Sequence, residues 1–284
     1  MRKLRKCENA QLYTGVSKCA PDFGKMKAAI LVKPGVKLPA ELSAETLEKM
    51  VHADREERIY GIVGLTEYAL NGGEVQTAAT GYGPEQVTGV SARKDTFDLD
   101  KYYPELDSSL MRTANTEWDV YFIDEDYILH GIDDGTDTLA GYPMSSVYAD
   151  STPMPTSSAR ATMQVVFCHA DARLSKVQAD YAPLGFKMNF KRETLGLLGV
   201  KLVKSDDTPN GYKIHEAVGG YDITPIYGPL IAMAGEKVLN GGATAVTYDD
   251  VTETLTVVVP EDAVVSLKSP AVLYENDIKG IEQI

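Results

Sequence analysis

The chain has 284 residues, of which 44% are hydrophobic and 24% charged, so wholesale disorder is excluded and the chain can bury a core of its own. Its 41 acidic residues outnumber the 28 basic ones, and a net charge of −13 disfavours direct binding to a nucleic-acid backbone. No run of about 18 apolar residues exists, and the basic amino end lacks the apolar segment of a secretory signal. The sequence therefore predicts no membrane span and synthesis in a cytoplasm.

The amino-terminal part of the chain is predicted to be an extended arm, over residues 1–25, followed by a first strand over 26–32. Four basic residues fall in the first six, and no helical or strand period develops in the arm. The clearest helix is predicted over 39–53, because Ser43 can cap it and apolar residues then recur at helical spacing. His52, near the end of this helix, is predicted to lie at the surface.

Short strands with glycine-rich corners are predicted next. Their residues are often β-branched, and Gly and Asn mark the turns between them. The predicted strands cover 59–65, 74–81 and 86–93. A second, brief helix is predicted over 108–114 with Asp107 as its cap.

Residues 118–147 are the most β-like stretch of the chain. Aromatic and β-branched residues fill two short runs that are separated by acidic residues, which predicts a hairpin turning at 124–126. A second turn is predicted at 133–135, and a third strand over 138–147. The acidic groups in these turns do not match a calcium-binding loop, so we predict solvated turns.

A Pro-, Ser- and Thr-rich segment over 148–160 is predicted to be an exposed loop. Beyond Gly235, a Val- and Thr-rich ribbon is predicted that turns near Asp249 and Asp250, and an acidic, polar tail follows it. The strands predicted in this half cover 161–169, 184–190, 197–204, 211–217, the two arms of a ribbon over 243–260, and 263–267.

These elements predict a mainly β (α+β) fold: an antiparallel sheet, sandwich or barrel-forming body with one or two short helices. The predicted domains are an arm over 1–25, a β-rich assembly domain over 26–233 and a small β-rich carboxy-terminal appendage over 234–284.

The cysteine, histidine and acidic residues form no motif that predicts a catalytic, cofactor-binding or metal site. We therefore predict that the chain is not an enzyme and has no cofactor. Cys7, Cys19 and Cys168 have no zinc-ligand spacing, and the four histidines never occur in pairs at such spacing. Cys168 and His169 are neighbours on a predicted strand, so they point to opposite faces and cannot form a dyad. Catalysis by two carboxylates from different strands stays open.

Residues 115–126, 133–145 and 152–157 resemble uncharacterised structural proteins encoded in phages and prophages of gut bacteria, and the resemblance extends from 12 to about 230. Among virion proteins, the tail-tube class is favoured. That resemblance implies stacked, hexameric rings whose subunits each lend strands to an inner β-barrel. The long helical spine expected of a capsid protein of the HK97 type is missing from the sequence, which places a capsid or other head–tail role second.

The resemblance implies assembly rather than a reaction. The expected partners are further copies of the chain, other virion proteins and passing DNA that is not specifically bound, with no membrane. The expected location is the virion, after synthesis in the cytoplasm of a bacterial host. The arm and the loop over 148–160 would order on neighbouring rings, the acidic turns would line the lumen, and the appendage would decorate the outside. Two other classes remain: a carbohydrate-binding or adhesion module, suggested by the 16 Tyr, and a hydrolase on a β scaffold.

Overall fold

A computed structural model describes residues 23–79, 81–136, 138–150, 155–157, 160–206, 208–261 and 263–284. The protein is mainly β, with 40% strand and 18% helix, and this confirms the predicted fold class. The described part contains six helices rather than the one or two that the sequence predicts. None of the described helices is long and apolar enough to cross a membrane.

The described part of the chain forms eighteen strands, six α-helices and one 3₁₀ turn. The strands are β1 (Met26–Val32), β2 (Tyr60–Val63), β3 (Leu65–Gly72), β4 (Val75–Ala79), β5 (Glu85–Val90), β6 (Arg93–Leu99), β7 (Trp118–Asp124), β8 (Ile128–Ile132), β9 (Tyr142–Ala149), β10 (Gln164–His169), β11 (Ala179–Pro183), β12 (Leu198–Lys204), β13 (Gly211–Glu216), β14 (Leu239–Asn240), β15 (Ala245–Asp249), β16 (Thr254–Val258), β17 (Ser266–Leu267) and β18 (Ile281–Gln283). The helices are α1 (Ala44–Val51), α2 (Pro104–Arg112), α3 (Leu174–Val177), α4 (Phe190–Glu193), α5 (Thr224–Ala234) and α6 (Pro270–Glu275), and the 3₁₀ turn covers Gly235–Val238.

Residue contacts divide the chain into two compact units. The described part of the first comprises 23–47 and Ile59–Thr194, and the second comprises Glu48–Arg58 and Leu195–Ile284. The division therefore falls after Thr194, not at the predicted boundary after 233. The reason is long-range pairing, since β13 hydrogen-bonds to β16 and β12 to β18, which joins both sides of residue 233 in one sheet.

The first unit is built on a nine-stranded antiparallel sheet. Its main path runs β11-β8-β7-β9-β10-β6-β3, and β1 pairs with both β7 and β2. Strand β7 lies at the centre of this sheet because it pairs with three other strands. One of its edges pairs with β1 along its length. Its other edge is shared, with Phe122 opposite His130 on β8 and Val120 opposite Tyr142 on β9.

The core of the first unit follows from strand alternation, which sends every second side chain to the same face. Phe97, Phe122 and Phe167 meet at its centre, with ring centroids 5.2 to 5.8 Å apart. The buried members of this core are Ala29, Leu31, Ile62, Leu65, Phe97, Leu99, Leu110, Val120, Phe122, Ile132, Tyr142, Met144, Val147, Ala149, Met163, Val165 and Phe167.

The second unit has a five-stranded sheet of order β15-β16-β13-β12-β18, in which only the β12–β18 pair is parallel. Helices α5 and α6 also belong to this unit.

A buried arginine joins distant parts of the second unit. Arg58 donates to the Glu282 carboxylate at 2.7 Å and to the Ala53 carbonyl at 2.9 Å. The buried core consists of Val200, Ile214, Ile223, Ile231, Val238, Leu239, Leu255, Val257, Val265, Leu267, Leu273, Ile278 and Ile281.

Several local predictions are confirmed. The hairpin of β7 and β8 turns next to Asp124, and the ribbon of β15 and β16 turns after Asp249. Ser43 caps α1, since its Oγ accepts from the Thr46 N–H at 3.1 Å. These features depend on neighbouring residues, which is why sequence pattern suffices for them.

Other local predictions are wrong. Helix α2 begins at Pro104, with Tyr103 rather than Asp107 at its N-cap, because proline suits the first turn of a helix. No strand forms over 184–190, where a loop leads into α4. Several elements are additional to the predicted ones: strands β3, β6, β11 and β14, helices α3, α4 and α5, and the α6–β18 tail.

His52 is buried rather than at the surface. It is 4% exposed, its Nδ1 donates to the Glu48 carbonyl at 2.7 Å, and its Nε2 accepts from the Gly280 N–H at 2.9 Å. The predicted arm lies outside the described residues apart from 23–25, and the predicted loop over 148–160 does so at 151–154, 158 and 159.

Candidate functional site

A cavity of about 540 Å³ opens in the first unit among the strands of the nine-stranded sheet. Both end strands of the main path, β3 and β11, contribute side chains to it, so the sheet curves around the cavity. Each strand along this path supplies at least one lining residue: Tyr181, His130, Phe122, Tyr142, His169, Asp95 and Tyr68, in the order of the path.

Asp95 on β6 is the centre of one polar cluster in this cavity. Its carboxylate is hydrogen-bonded to His169 Nε2 at 2.7 Å. It also accepts hydrogen bonds from Arg93 at 3.0 and 3.1 Å and from the Tyr68 hydroxyl at 3.0 Å. Burial opposes ionisation of Asp95, but the hydrogen bonds from His169 and Arg93 outweigh it and lower its pKa. Burial and the neighbouring Asp95 charge raise the pKa of Tyr68 to about 12. Asp95 is therefore ionised and Tyr68 protonated near neutral pH.

Asp124 on β7 is the centre of the second polar cluster. Its Oδ1 accepts from the backbone N–H groups of Asp126 and Ile128, at 3.0 and 2.9 Å. Its Oδ2 lies 3.1 Å from His130 Nε2. Burial lowers the pKa of His130, and the nearby Asp124 only partly offsets this effect.

Aromatic rings surround the His130 end of the cavity. The rings of Phe23, His130 and Tyr181 form a triangle with centroid separations of 4.3 to 5.0 Å. Tyr142 packs edge-on to His169 at 5.8 Å, and burial raises the pKa of its hydroxyl. The wall therefore combines ring faces with hydroxyl and imidazole groups.

The chemistry available here is that of two imidazole–carboxylate pairs. A histidine of this kind acts as a general base only when it reaches a nucleophile or substrate proton. The cavity's serine, Ser175, instead donates to the Ala172 carbonyl at 2.8 Å and accepts from Arg93 at 3.0 Å. Within the described ranges, no group of three His, Cys, Asp or Glu side chains is arranged to hold a metal ion.

The acidic turns differ in their burial. Asp124 is fully buried, so the prediction of a solvated turn is wrong for this residue. Asp134 is exposed and forms an ion pair with Lys37, whose hydrogen bond lowers the pKa of Asp134 to about 2. Cys168 is half-buried and does not line the cavity that its neighbour His169 enters.

Sequence reasoning missed the cavity because its members are far apart in the chain. Asp95 and His169 are separated by 74 positions, and only the pairing of β6 with β10 brings them together. The alternation of Arg93, Asp95 and Phe97 on one face of β6 was the available signal, but β6 itself was not predicted.

An exposed hairpin, formed by β4, β5 and the turn between them, is the second notable feature of this unit. Every residue of β4 and the first four of β5 are exposed, so both faces of this ribbon meet solvent. Val75 is 50% exposed, Val87 is 69% exposed, and Tyr82 in the turn is fully exposed. The hairpin continues from β3 and β6, and among the described strands β3 pairs only with β6.

Comparisons of the chain with protein-family models, curated proteins and solved structures found no match.

Proposed function

We propose that this chain is a structural protein of a phage virion that assembles with copies of itself into the stacked rings of a tail tube. The observation that carries the proposal is the β4–β5 hairpin, which is exposed on both faces and bears apolar side chains. An isolated two-stranded hairpin is at best marginally stable in water. Contact with a neighbouring copy would bury Val75, Tyr82 and Val87 and stabilise the hairpin.

The edge of β3 supports the same proposal. Six of its eight residues are exposed, including Tyr68 and Leu70 at 51% and 52%. An unpaired strand edge is a template for pairing with another chain, and a closed ring gives each such edge a partner. The net charge of −13 would let DNA pass a ring without adhering to it.

The first experiment is electron microscopy of the purified protein across a concentration series, with mass measured by sedimentation. Open tubes or stacked rings of uniform diameter are expected, and closed shells would favour a capsid role instead. A monomer at every concentration would refute self-assembly.

The role of the hairpin is tested by a matched pair of substitutions. Val87→Asp places a charge on the hairpin, while Val251→Asp places the same charge at an 86% exposed valine in the β15–β16 turn. We expect Val87→Asp to block assembly and Val251→Asp to leave it intact. Equal assembly of both variants would show that the hairpin is not an assembly contact.

A carbohydrate-binding module is the second candidate, favoured by the aromatic and hydroxyl-bearing wall of the cavity. Ligand pockets combine apolar and aromatic walls with a few convergent polar groups, in volumes of roughly 300 to 1,000 Å³. Glycan-array binding that is lost in Tyr181→Ala, in a chain that stays monomeric, would favour this candidate over assembly.

A further inference from the structure

Two histidines in the cavity wall of the first unit each have a second ring nitrogen to offer. The Nε2 of His130 is bonded to Asp124 and the Nε2 of His169 to Asp95, whereas neither Nδ1 has a hydrogen-bond partner among the described residues. Because a carboxylate accepts, Nε2 carries the proton and Nδ1 is an acceptor in the neutral ring. The two residues are only 4% and 8% exposed, and both line the cavity. The wall therefore presents two hydrogen-bond acceptors to an occupant of the cavity.

Two tyrosine hydroxyls of the same wall are also available. Within the described ranges, neither the Tyr142 nor the Tyr181 hydroxyl has a hydrogen-bond partner. Burial raises the pKa of both hydroxyls, and the Tyr181 hydroxyl adds to this effect at Tyr142 because the two groups lie near each other. A phenol can donate and accept. Together with the two imidazoles, the wall holds four polar atoms that a ligand can bond.

These four atoms are open to the cavity rather than enclosed in the core. In the described part of the chain, the fully enclosed side-chain N and O atoms without a partner are Trp118 Nε1, Asp180 Oδ2 and Glu193 Oε2. All three belong to residues outside the cavity wall. Buried polar side chains are normally hydrogen-bonded, so four accessible polar atoms along one wall indicate a place where hydrogen bonds are made to a bound molecule.

Aromatic rings lie beside these polar atoms. The Phe23 and Tyr181 ring centroids are 4.3 Å apart, and Phe97 and Phe122 also line the cavity. The volume of about 540 Å³ lies within the roughly 300 to 1,000 Å³ of small-molecule sites. Water can bond to the polar atoms, but an apolar group that displaces it from a ring face gains affinity. The wall therefore matches a ligand that combines an apolar face with several hydroxyl groups.

The ionisable side chains of the wall indicate a ligand without charge. Two are basic and two acidic: Lys25, Arg93, Glu67 and Asp95. Arg93 and Asp95 are bonded to each other at 3.0 and 3.1 Å, so neither is available to pair with an ionic ligand. Burial lowers the pKa of His130, so this ring is mainly neutral near pH 7. The cavity thus has a balanced wall in a chain whose net charge is −13.

We propose that this cavity binds an uncharged, hydroxyl-bearing molecule of the size of a monosaccharide. Ligand hydroxyls donate to the two Nδ1 atoms and bond to the two tyrosine hydroxyls, while the apolar face of the sugar ring covers the aromatic side chains. This inference does not depend on self-assembly. It specifies the ligand class for the carbohydrate-binding candidate, on which it rests.

The ligand class is tested by saturation-transfer difference NMR on the full-length chain. The probes are glucose, galactose and mannose, together with their amino-sugar and uronic-acid relatives, which add a positive or a negative charge to the same ring. We expect saturation transfer to at least one neutral sugar and binding of its charged relatives that is weaker by about tenfold or more. Absence of transfer to all three neutral sugars would overturn the proposal, and so would equal binding of the charged relatives.

The position of the site is tested by substitutions that remove only a hydroxyl. Tyr142→Phe and Tyr181→Phe keep the ring and should weaken sugar binding by about three- to tenfold. Since neither hydroxyl has a partner in the described chain, the urea midpoint of each variant should match that of the wild type. Tyr221→Phe alters a 70% exposed tyrosine of the second unit and should bind sugar like the wild type. Unchanged sugar binding in both cavity variants would overturn the proposal.

The outcomes separate this proposal from the proposed functions. A wild-type chain that assembles but binds no neutral sugar refutes the cavity site and leaves the tube standing. A chain that binds sugar through Tyr142 and Tyr181 but stays monomeric supports the cavity site and refutes the tube. Glycan binding that both cavity substitutions leave unchanged keeps a carbohydrate-binding role and refutes the cavity as its site.

Discussion

Removing the Asp124 carboxylate should destabilise the first unit strongly. Asp124→Ala leaves the N–H groups of Asp126 and Ile128 without their acceptor, and it leaves His130 Nε2 without its partner. Breaking a buried pair by removing one partner costs about 3–5 kcal/mol, and the two N–H bonds are only part-buried, so the substitution should lower the free energy of unfolding by about 3–5 kcal/mol. Asp124→Asn keeps the acceptor for both N–H groups and should cost less.

The assay is equilibrium unfolding in urea, followed by the fluorescence of the single tryptophan, Trp118, which lies on the same strand as Asp124. Asp126→Ala is the matched control, because it removes an exposed carboxylate from the same turn and should change stability by only about 0.5 kcal/mol or less. If Asp124→Ala and Asp126→Ala unfold alike, the buried carboxylate does not organise the hairpin and the reasoning is refuted.

Two further predictions concern the second unit. Burial lowers the pKa of His52 despite its hydrogen bond to a carbonyl, so the unfolded chain binds the proton more readily and stability should fall as pH drops through the ordinary value of 6.5. His52→Gln retains an acceptor for the Gly280 N–H. Between pH 7.5 and 5.5, its denaturation midpoint should decrease less than that of the wild type. An equal decrease in the two proteins would exclude this histidine as the cause. Gly228→Ala should cost about 1–3 kcal/mol in urea unfolding because the new methyl group meets the Tyr248 ring, and an unchanged midpoint would show that the ring moves away freely.

The sequence alone determined the features that depend on neighbouring residues. Two runs of aromatic and β-branched residues on either side of an acidic turn predicted the β7–β8 hairpin, because strand propensity and turn chemistry are local properties. Ser43 predicted the start of α1 for the same reason, since a cap bonds to N–H groups within its own first turn.

Tertiary structure decided the elements in which long-range contacts override local preference. Two prolines argue against a helix over Thr224–Ala234, but Pro225 falls in the first turn and the packing of Gly228 on Tyr248 holds the remainder. The position of His52 at a helix end predicts a surface residue. In the structure it is buried and accepts a hydrogen bond from the Gly280 N–H, 228 positions away.

The cavity shows the same division most clearly. Neither the Asp95–His169 pair nor the place of His130 in the same wall follows from any spacing in the sequence, because strand order decides which residues meet. Composition and pattern therefore determined that this chain is a mainly β protein, and the pairing of distant strands decided where its buried charges and its exposed apolar surfaces lie.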